Sequence, residues 1–414
     1  MDARLFLIFP EPLRSLPRLR LAGCFRWVLA EADQTNIHGT LGTERSLSQI
    51  NSPSENAPIL TQHKKRAAGM MTASDDPWLR ADAEFPSGGK LEEQIQYLIG
   101  YATLAPSGHN TQPWLFGTGP NWVDVLANRT RALPVVDPHD RELTISCGAA
   151  IGIFEVAARR FSLQATIAML PDPEYLDHFA QITVATSKPA DEGEIVLFDA
   201  IKNRRTDRSA YFMEGLPDDL APACCDAVET AGTSLRFFED SDAIKTIAGL
   251  VAEGDRLQFD DPNFRRELAS WVHSTRLKSR DGMSGAGFGM PDILTPAARF
   301  VIRTFDLGNN VAAADEKKIL AGSPALALLT SKSDGVVDWL NTGRALAKML
   351  LLLTSRGYTA SYLNQPIEVG ALRPALRETA GVTALPQILL RIGRSEKMPA
   401  PSLRRVLSEV MVTT

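Results

Sequence analysis

Residues 339–356 are apolar on almost every side of a helical projection, and this feature constrains the fold more than any other. A helix without a polar face is stable only when other elements enclose it. Hydrophobic side chains make up 44% of the 414 residues, so a core large enough to surround such a helix can form. The sequence therefore predicts that this helix lies at the centre of the core.

Periodicity in the rest of the chain predicts a mixture of helices and strands. Helical spacing is followed by Leu91, Ile95, Leu98, Ala102 and Ala105, and the next residue, a proline, ends this helix because the residue before a proline avoids the helical region. Further helices are predicted over residues 147–161, 195–202, 218–231, 243–256 and 264–277. Strands are predicted over residues 122–126, 163–170, 182–186, 235–238, 325–330 and 387–392.

Charge and cysteine content exclude several classes of protein. The formal net charge is −5, which argues against a nucleic-acid partner, because such proteins usually carry a basic face. The longest strongly apolar run outside the first seventy residues, 349–353, is far shorter than the ~20 residues that span a bilayer. None of the four cysteines forms a C-x-x-C pair, so we expect free thiols in a reducing compartment, which indicates the cytoplasm.

Residues 1–70 differ in composition from the rest of the chain. Arginines and prolines interrupt the apolar start, and residues 35–58 are rich in Asn, Ser, Thr and Gly, a composition typical of disorder. Met70 and Met71 precede a composition typical of a folded domain. The favoured hypothesis is that translation begins naturally at one of these methionines, and the alternative is an organelle-targeting extension.

Residues 105–114, Ala-Pro-Ser-Gly-His-Asn-Thr-Gln-Pro-Trp, form a polar loop after the first helix. Hydroxyl, amide and backbone donors lie there beside an aromatic side chain, an arrangement that suits a planar polar ligand. His109 is either a general acid or a hydrogen-bonded loop residue, and the second interpretation is favoured. Cys147, in the predicted 147–161 helix, is either a reactive thiol or a buried small residue, and again the second is favoured.

Residues 204–208, Arg-Arg-Thr-Asp-Arg, place three cations and a hydroxyl within five positions. Guanidinium groups match phosphate oxygens two at a time, so this cluster could bind a phosphate. The alternative is a solvated charged turn in which Asp207 pairs locally. Arg404 and Arg405 follow a proline-rich stretch near the C-terminus and could converge on the same anion.

Other motifs do not support an alternative chemistry. The glycines around residue 285 do not match G-x-G-x-x-G, Ser284 lacks the context of a nucleophile elbow, and the histidines have no metal-ligand spacing. Asp137, Asp140 and Glu142 are interpreted as loop and helix-start residues. Residues 279–291 contain four glycines with apolar residues among them, so they form either a lid or an ordinary surface loop.

The two polar motifs together resemble those of FMN-dependent nitroreductases. Residues 105–114 look like the proline–tryptophan loop of that family, and residues 204–208 resemble its R-R-S-x-R element. The loop precedes the arginines here, whereas the family usually has the reverse order. This order is similar to that of the Acg-type branch, in which two nitroreductase-like halves appear fused. Residues 137–143, 145–150, 363–369 and 386–393 also resemble that branch.

The resemblance implies an α+β nitroreductase-like fold with two fused halves, each a mainly antiparallel sheet flanked by helices. The halves would span residues 71–194 and 195–414 and form an intramolecular pseudo-dimer, after an extension of residues 1–70. The chain would then be a monomer or a weak homodimer. The first half has no arginine element before Pro106, which implies one flavin site per chain.

The resemblance also assigns roles to the residues of the flavin site. The first half would supply Pro106, Ser107, Gly108, Asn110 and Gln112. In the second half, Arg204, Arg205 and Thr206 would hold the phosphate and ribityl groups, and Arg404 with Arg405 would complete the phosphate clamp. Arg208 would lie at the N1/O2 edge of the flavin ring, and Leu363 and Asn364 would flank the N5 side of the ring.

The implied activity is hydride transfer from NAD(P)H through FMN to a small electron acceptor, a nitroaromatic or a quinone, in a ping-pong cycle. Such a cycle needs no protein nucleophile, and Arg208 would tune the flavin electrostatically. The alternative is a protein that binds or sequesters FMN, with residues 279–291 closing over the ring and little or no turnover.

Overall fold

The computed structural model describes residues 76–229, 232–275, 280–285 and 291–412. The expectations for residues 1–70, and for the part of the predicted lid at 286–290, lie outside these ranges. The described ranges contain twelve α-helices: α1 Leu91–Ala102, α2 Arg141–Arg160, α3 Glu192–Ala200, α4 Leu220–Val228, α5 Ser241–Asp260, α6 Pro262–Ser270, α7 Thr295–Thr304, α8 Gly308–Gly322, α9 Val336–Ser355, α10 Gln365–Glu368, α11 Arg373–Thr379 and α12 Leu407–Val410.

The strands of the described residues form two main sheets and one short pair. Their bounds are β1 Trp114–Thr118, β2 Trp122–Ala127, β3 Leu163–Met169, β4 His178–Thr186, β5 Thr233–Phe238, β6 Val272–His273, β7 Met283–Ser284, β8 Ala325–Ser331, β9 Thr359–Tyr362, β10 Leu385–Gly393 and β11 Met411–Val412. The first sheet has the order β11-β1-β2-β4-β3, and the second has the order β5-β8-β10-β9. Strands β6 and β7 pair with each other.

Both main sheets are largely antiparallel, as the fold class predicted from the sequence requires. Every pairing in the second sheet is antiparallel, and the first sheet has one parallel pairing, between β1 and β11. In that pairing Phe116 lies opposite Met411, so the last described strand belongs to the sheet built by the first part of the chain. The chain therefore returns across the molecule after the second sheet is complete.

Helices α2 and α9 pack against each other at the centre, which confirms the prediction made for residues 339–356. Each helix has twenty residues, and Gly148 and Gly343 are the eighth residues of α2 and α9. A Cβ atom on Gly148 would lie 2.2 Å from the Leu340 carbonyl oxygen, and one on Gly343 would lie 2.0 Å from the Ile145 carbonyl oxygen. Because both positions lack a Cβ atom, the two backbones approach closely and reciprocally.

Each central helix contributes side chains to two hydrophobic cores, that of its own sheet and that of the other main sheet. Ile145 of α2 packs with the residues of the second sheet, whereas Leu340 and Leu351 of α9 pack with those of the first. Arg344 donates two hydrogen bonds to the Glu155 carboxylate, at 2.7 and 2.9 Å, across the same interface. The apolar surface of α9 is therefore divided between two cores, which explains why the sequence shows no polar face.

The two largest errors in the predicted helix boundaries, at the start of α2 and at the end of α6, each have a local cause. Helix α2 begins at Arg141 and not at Cys147, because the Asp137 carboxylate accepts the Leu143 N–H at 2.9 Å and polar residues fill the first two turns. Helix α6 ends at Ser270, well before residue 277, because the chain continues into β6 and pairs with β7.

Candidate functional site

A cavity of about 820 Å³ lies where the loop after α1, the central helices, strand β9 and the C-terminal segment meet. Nine of the thirteen residues that the sequence singled out line it, so segments far apart in the chain do converge here. These nine residues are Pro106, Ser107, Gly108, Asn110, Arg204, Thr206, Arg208, Asn364 and Arg404.

The other four residues lie outside the cavity lining and have structural partners. The buried Gln112 amide donates to the Arg280 carbonyl at 2.8 Å and accepts the Arg405 backbone N–H at 2.8 Å. Arg405 donates to the Gln112 carbonyl at 3.0 Å. The Arg205 guanidinium donates to the Lys202 carbonyl at 2.8 Å, and Leu363 packs in the core behind the second sheet. These residues support the walls of the cavity.

The loop after α1 has an unusual backbone conformation. His109, Asn110 and Gln112 have φ angles of 47°, 56° and 53°, a region that residues other than glycine rarely adopt. The Ser107 hydroxyl accepts the Gln112 N–H at 3.0 Å and helps to hold this conformation. Backbone conformations of this kind cost roughly 1–3 kcal/mol each and concentrate at functional sites.

Asn110 connects this loop with two other segments of the chain. Its side-chain amide donates to the Gly282 carbonyl at 2.9 Å, and its oxygen accepts from the Arg404 guanidinium at 2.8 Å. Gly282 N–H in turn donates to the Asn110 carbonyl at 3.2 Å. The described part of the glycine-rich segment, 280–285, is therefore fastened to the loop, and Asp281 of that segment pairs with Arg131.

Arg204 and Arg404 form a buried cationic pair at one end of the cavity. Only 4% and 2% of their surfaces are exposed, and both donate to the Leu104 carbonyl oxygen. Burial, and next the charges of Arg204 and Arg205, lower the pKa of Arg404 to about 9. Within the described ranges neither guanidinium has a carboxylate partner, and the Nε atom of each lacks a hydrogen-bond partner.

Two buried cations without an acidic partner are costly in a protein interior unless an anion joins them. The donor set fits a phosphate group, because unsatisfied guanidinium N–H groups point to an anionic acceptor and Thr206 adds a hydroxyl to the same lining. Trp78 lies beside this pair, with the Arg205 guanidinium 4.4 Å and the Arg404 guanidinium 5.4 Å from its ring centroid. The sequence analysis did not identify Trp78.

His109 and Cys147 are unsuited to acid or nucleophilic chemistry. Burial, and next the charge of Arg208, lower the pKa of His109 to about 4, so the ring is neutral at neutral pH. Burial raises the pKa of the Cys147 thiol far above its usual range, and its Sγ donates to the Pro113 carbonyl at 3.5 Å. Cys147 is fully buried, as the favoured interpretation of the sequence expected.

Two acidic residues, Glu142 and Glu368, line the cavity and were not identified as site residues. Glu142 had been interpreted as a helix-start residue, and it is indeed the second residue of α2. Its carboxylate also accepts a hydrogen bond from Asn364 at 2.8 Å. Glu142 and Glu368 lie within residues 137–143 and 363–369, two blocks that resemble the Acg-type branch. That resemblance was the sequence feature from which both could have been identified as site residues.

No helix in the described part of the chain is long and apolar enough to cross a membrane. No family model matches the chain. It is 32% identical over 327 residues to "Putative NAD(P)H nitroreductase Rv3131" of Mycobacterium tuberculosis, an alignment that covers 77% of this chain and 91% of the relative. It is 23% identical over 352 residues to "Probable NAD(P)H nitroreductase PigM" of a Serratia strain, covering 78% and 94%.

Among solved structures, the chain is similar to the FMN and NADPH-dependent nitroreductase NfnB from a Sphigopyxis strain. That similarity has a TM-score of 0.36 at 15% identity and covers 53% of this chain and 98% of the other. The nitroreductase with bound FMN from Bacteroides fragilis is similar with a TM-score of 0.30 at 13% identity, covering 48% and 88%.

Proposed function

Since the chain belongs to the NAD(P)H nitroreductase family, we propose that it is an FMN-dependent oxidoreductase that passes hydride from NAD(P)H to a small electron-poor acceptor. The observation that carries this proposal is the buried pair Arg204 and Arg404, two cations without an acidic partner in the described ranges, at one end of a cavity of about 820 Å³. A nitroaromatic or a quinone is the proposed acceptor class.

The chain's own residues would hold the cofactor in distinct ways. Arg204 and Arg404 would bind the phosphate, and Thr206 would add a neutral donor. Arg208 would stabilise negative charge on the reduced ring, because a cation in a buried cavity acts with little screening. When bound, FMN supplies the hydride-transfer chemistry, accepting from NAD(P)H and donating to the acceptor in successive half-reactions.

We also propose that residues 71–414 contain two fused nitroreductase-like halves with one flavin site. The reciprocal contacts of Gly148 and Gly343, at the same position of two equally long helices, support a two-fold relationship between the halves. Ile145 of α2 packs in the core of the second sheet and Leu340 of α9 in the core of the first, and this reciprocal packing supports the same relationship. The predicted boundary at residue 194 falls inside α3, whose Phe198 packs with the first core.

A second candidate function is FMN binding without turnover. Asp281, Gly282 and Met283 line the cavity, and the hydrogen bonds between Gly282 and Asn110 hold this segment against the loop. A segment fastened in this position would restrict the approach of the nicotinamide. The expected observation is then a flavin-loaded protein that NAD(P)H reduces slowly.

The experiment is anaerobic stopped-flow mixing of the FMN-loaded protein with NADH or NADPH, preceded by measurement of the FMN-to-chain ratio. A ratio of one and rapid loss of the oxidised flavin absorbance support the oxidoreductase. A ratio of one without reduction supports sequestration, and a ratio of two refutes the single site.

A variant of the cationic pair tests the observation on which the proposal rests. Arg404→Met is expected to lower FMN affinity, whereas Arg356→Met, which removes an exposed arginine paired with Asp219, should leave it unchanged. Equal FMN affinity in the Arg404→Met variant and the unmodified protein would refute the phosphate role of this pair.

A further inference from the structure

Two carboxyl groups meet in the wall of the cavity, and the hydride-transfer scheme does not use them. Asn364 links the two residues: its side-chain amide donates to the Glu142 carboxylate at 2.8 Å, and its backbone carbonyl accepts the Glu368 N–H at 2.9 Å. Both residues line the cavity, and they come from different central elements, α2 and α10. Two neighbouring carboxyl groups repel each other when both are ionised in a poorly solvated site, so one of them retains a proton more readily.

The surroundings of the two groups determine which of them carries the proton. Glu142 has a cationic and an amide donor, because Arg141 and Asn364 donate to the same oxygen of its carboxylate, at 2.9 and 2.8 Å. Glu368 receives one hydrogen bond, from the neutral Gln258 amide at 2.6 Å. Burial, and next the Glu142 carboxylate, raise the pKa of Glu368 well above its usual range. Glu368 is therefore the protonated member.

The other charged groups near the pair also favour retention of a proton. Asp137, which caps the first turn of α2, adds a third acid, and burial together with Glu142 raises its pKa to about 6. Arg141 is the cation in direct contact with this cluster among the described residues, and it donates to both Glu142 and the Gln387 carbonyl. One guanidinium cannot balance three carboxylates, so a retained proton lowers the energy of the cluster.

We propose that the carboxyl pair Glu142–Glu368 stores one proton in the cavity wall and that Glu368 donates it to the electron acceptor during reduction. This inference rests on the proposed function, which supplies the hydride. A nitro group, R–NO2, that receives one hydride and one proton gives R–NO and water, with cleavage of one N–O bond. A quinone that receives the same two species becomes a hydroquinone. After either reaction both glutamates are ionised, and solvent returns the proton.

The position of Glu368 suits this role because it lines the cavity and is only half-buried, whereas Glu142 is buried. The base that remains after proton transfer is stabilised by Gln258, and Glu142 keeps its own two donors. General acids in such positions typically contribute roughly 100-fold or more to a rate. Glu368 would thus be a proton-donating residue for a reaction whose hydride comes from the cofactor.

The test compares Glu368→Gln with Asp255→Asn in the full-length FMN-loaded protein. Asp255 is a matched control because it is also a buried acid between α5 and α10, accepts from Gln365 at 3.0 Å, and lies outside the cavity lining. The flavin is reduced by light or dithionite and then mixed anaerobically with benzoquinone or nitrofurazone. Glu368→Gln should slow reoxidation about 100-fold, with NAD(P)H-driven reduction unchanged. Asp255→Asn should change neither.

Infrared spectroscopy of protein labelled with 13C-glutamate gives a readout independent of turnover. The unmodified protein and Asp255→Asn should show an isotope-shifted band of a protonated glutamic acid at pH 7, and Glu368→Gln should lack it. Absence of that band from the unmodified protein, or reoxidation of Glu368→Gln at the unmodified rate, overturns the proposal. Failure of NAD(P)H to reduce the unmodified protein counts against the oxidoreductase alone, because chemical reduction still allows both measurements.

Discussion

Replacement of Gly343 by alanine is expected to separate the two central helices. A Cβ atom at this position would lie 2.0 Å from the Ile145 carbonyl oxygen and 2.6 Å from the Ala149 nitrogen. Real Cβ atoms essentially never lie within 3.0 Å of another heavy atom, so the helices must move apart by about 1 Å. Because the obstructing atoms belong to the backbone, no change of rotamer can relieve the contact.

The expected free energy combines two opposing terms. Alanine is about 1 kcal/mol more favourable than glycine inside a helix. Overpacking of a well-packed core costs typically 1–3 kcal/mol, and we take the upper value because the contact is with backbone. The variant should therefore lose about 2 kcal/mol of unfolding free energy. The cavity should also widen, since α2 carries Glu142 and α9 carries Leu346 in its lining, and FMN affinity should fall.

Gly249 provides the matched control, because it is a helical glycine of α5 at which an added Cβ atom would meet no heavy atom within 4 Å. Gly249→Ala should gain up to about 1 kcal/mol from helix propensity alone. Urea unfolding of both variants, followed by fluorescence titration with FMN, measures the difference. A Gly343→Ala protein that is as stable as the Gly249→Ala protein would refute the close approach of the helices.

Three further variants test the site. Arg404→Met should weaken FMN binding about 10–100-fold in a fluorescence titration, because a hydrogen bond to a charged group contributes roughly 1.5–3 kcal/mol; an effect no larger than that of Arg356→Met would contradict the clamp. Trp78→Leu should weaken FMN binding about 3-fold or more, because the cation–π contacts with Arg205 and Arg404 are lost. Unchanged FMN affinity would show that Trp78 does not hold these arginines in position for FMN. The pKa of His109 is about 4 when folded and 6.5 as a free group, so folding stability falls as pH decreases from 6.5 to 4. His109→Asn should remove about 3 kcal/mol of that loss in urea unfolding at pH 4 and pH 7, and equal acid sensitivity would contradict it.

The regular elements with a strong period were predictable from the sequence. The central helix, the first helix and strands such as 325–330 follow from hydrophobic spacing, and the structure confirms them, although the first helix ends at Ala102, three residues before Ala105. Helix α8 and strand β11 were missed. Helix α8 has little amphipathic character, with alanines and charged residues mixed around it, and β11 is a two-residue strand fixed by its pairing with β1. Long-range pairing of this kind leaves no local period.

The site was predictable only in part, because local motifs identify donors but not partners. The motifs at 105–114 and 204–208 provided most of the lining residues. They did not distinguish Arg404, which faces the cavity, from Arg405, whose guanidinium donates to the Gln112 and Trp114 carbonyls. Adjacent residues in an extended segment point in opposite directions, so one cation of such a pair reaches the cavity and the other the wall.

Tyr362 lines the cavity together with the buried arginine pair and the two glutamates, and both kinds of charge act on its phenol. After burial, the charges that act most on the Tyr362 phenol are those of Arg204, which lowers its pKa, and Glu142, which raises it; the net pKa is raised to about 12. A ligand with a dianionic phosphate is drawn to the arginine end and repelled from the glutamates, so its uncharged part is directed toward Glu368. Within the described ranges the Tyr362 hydroxyl has no hydrogen-bond partner. In the proposed complex the Tyr362 hydroxyl would be a neutral donor to the ligand, and the charges that would orient the ligand would also bring its uncharged part toward the proposed proton donor, Glu368.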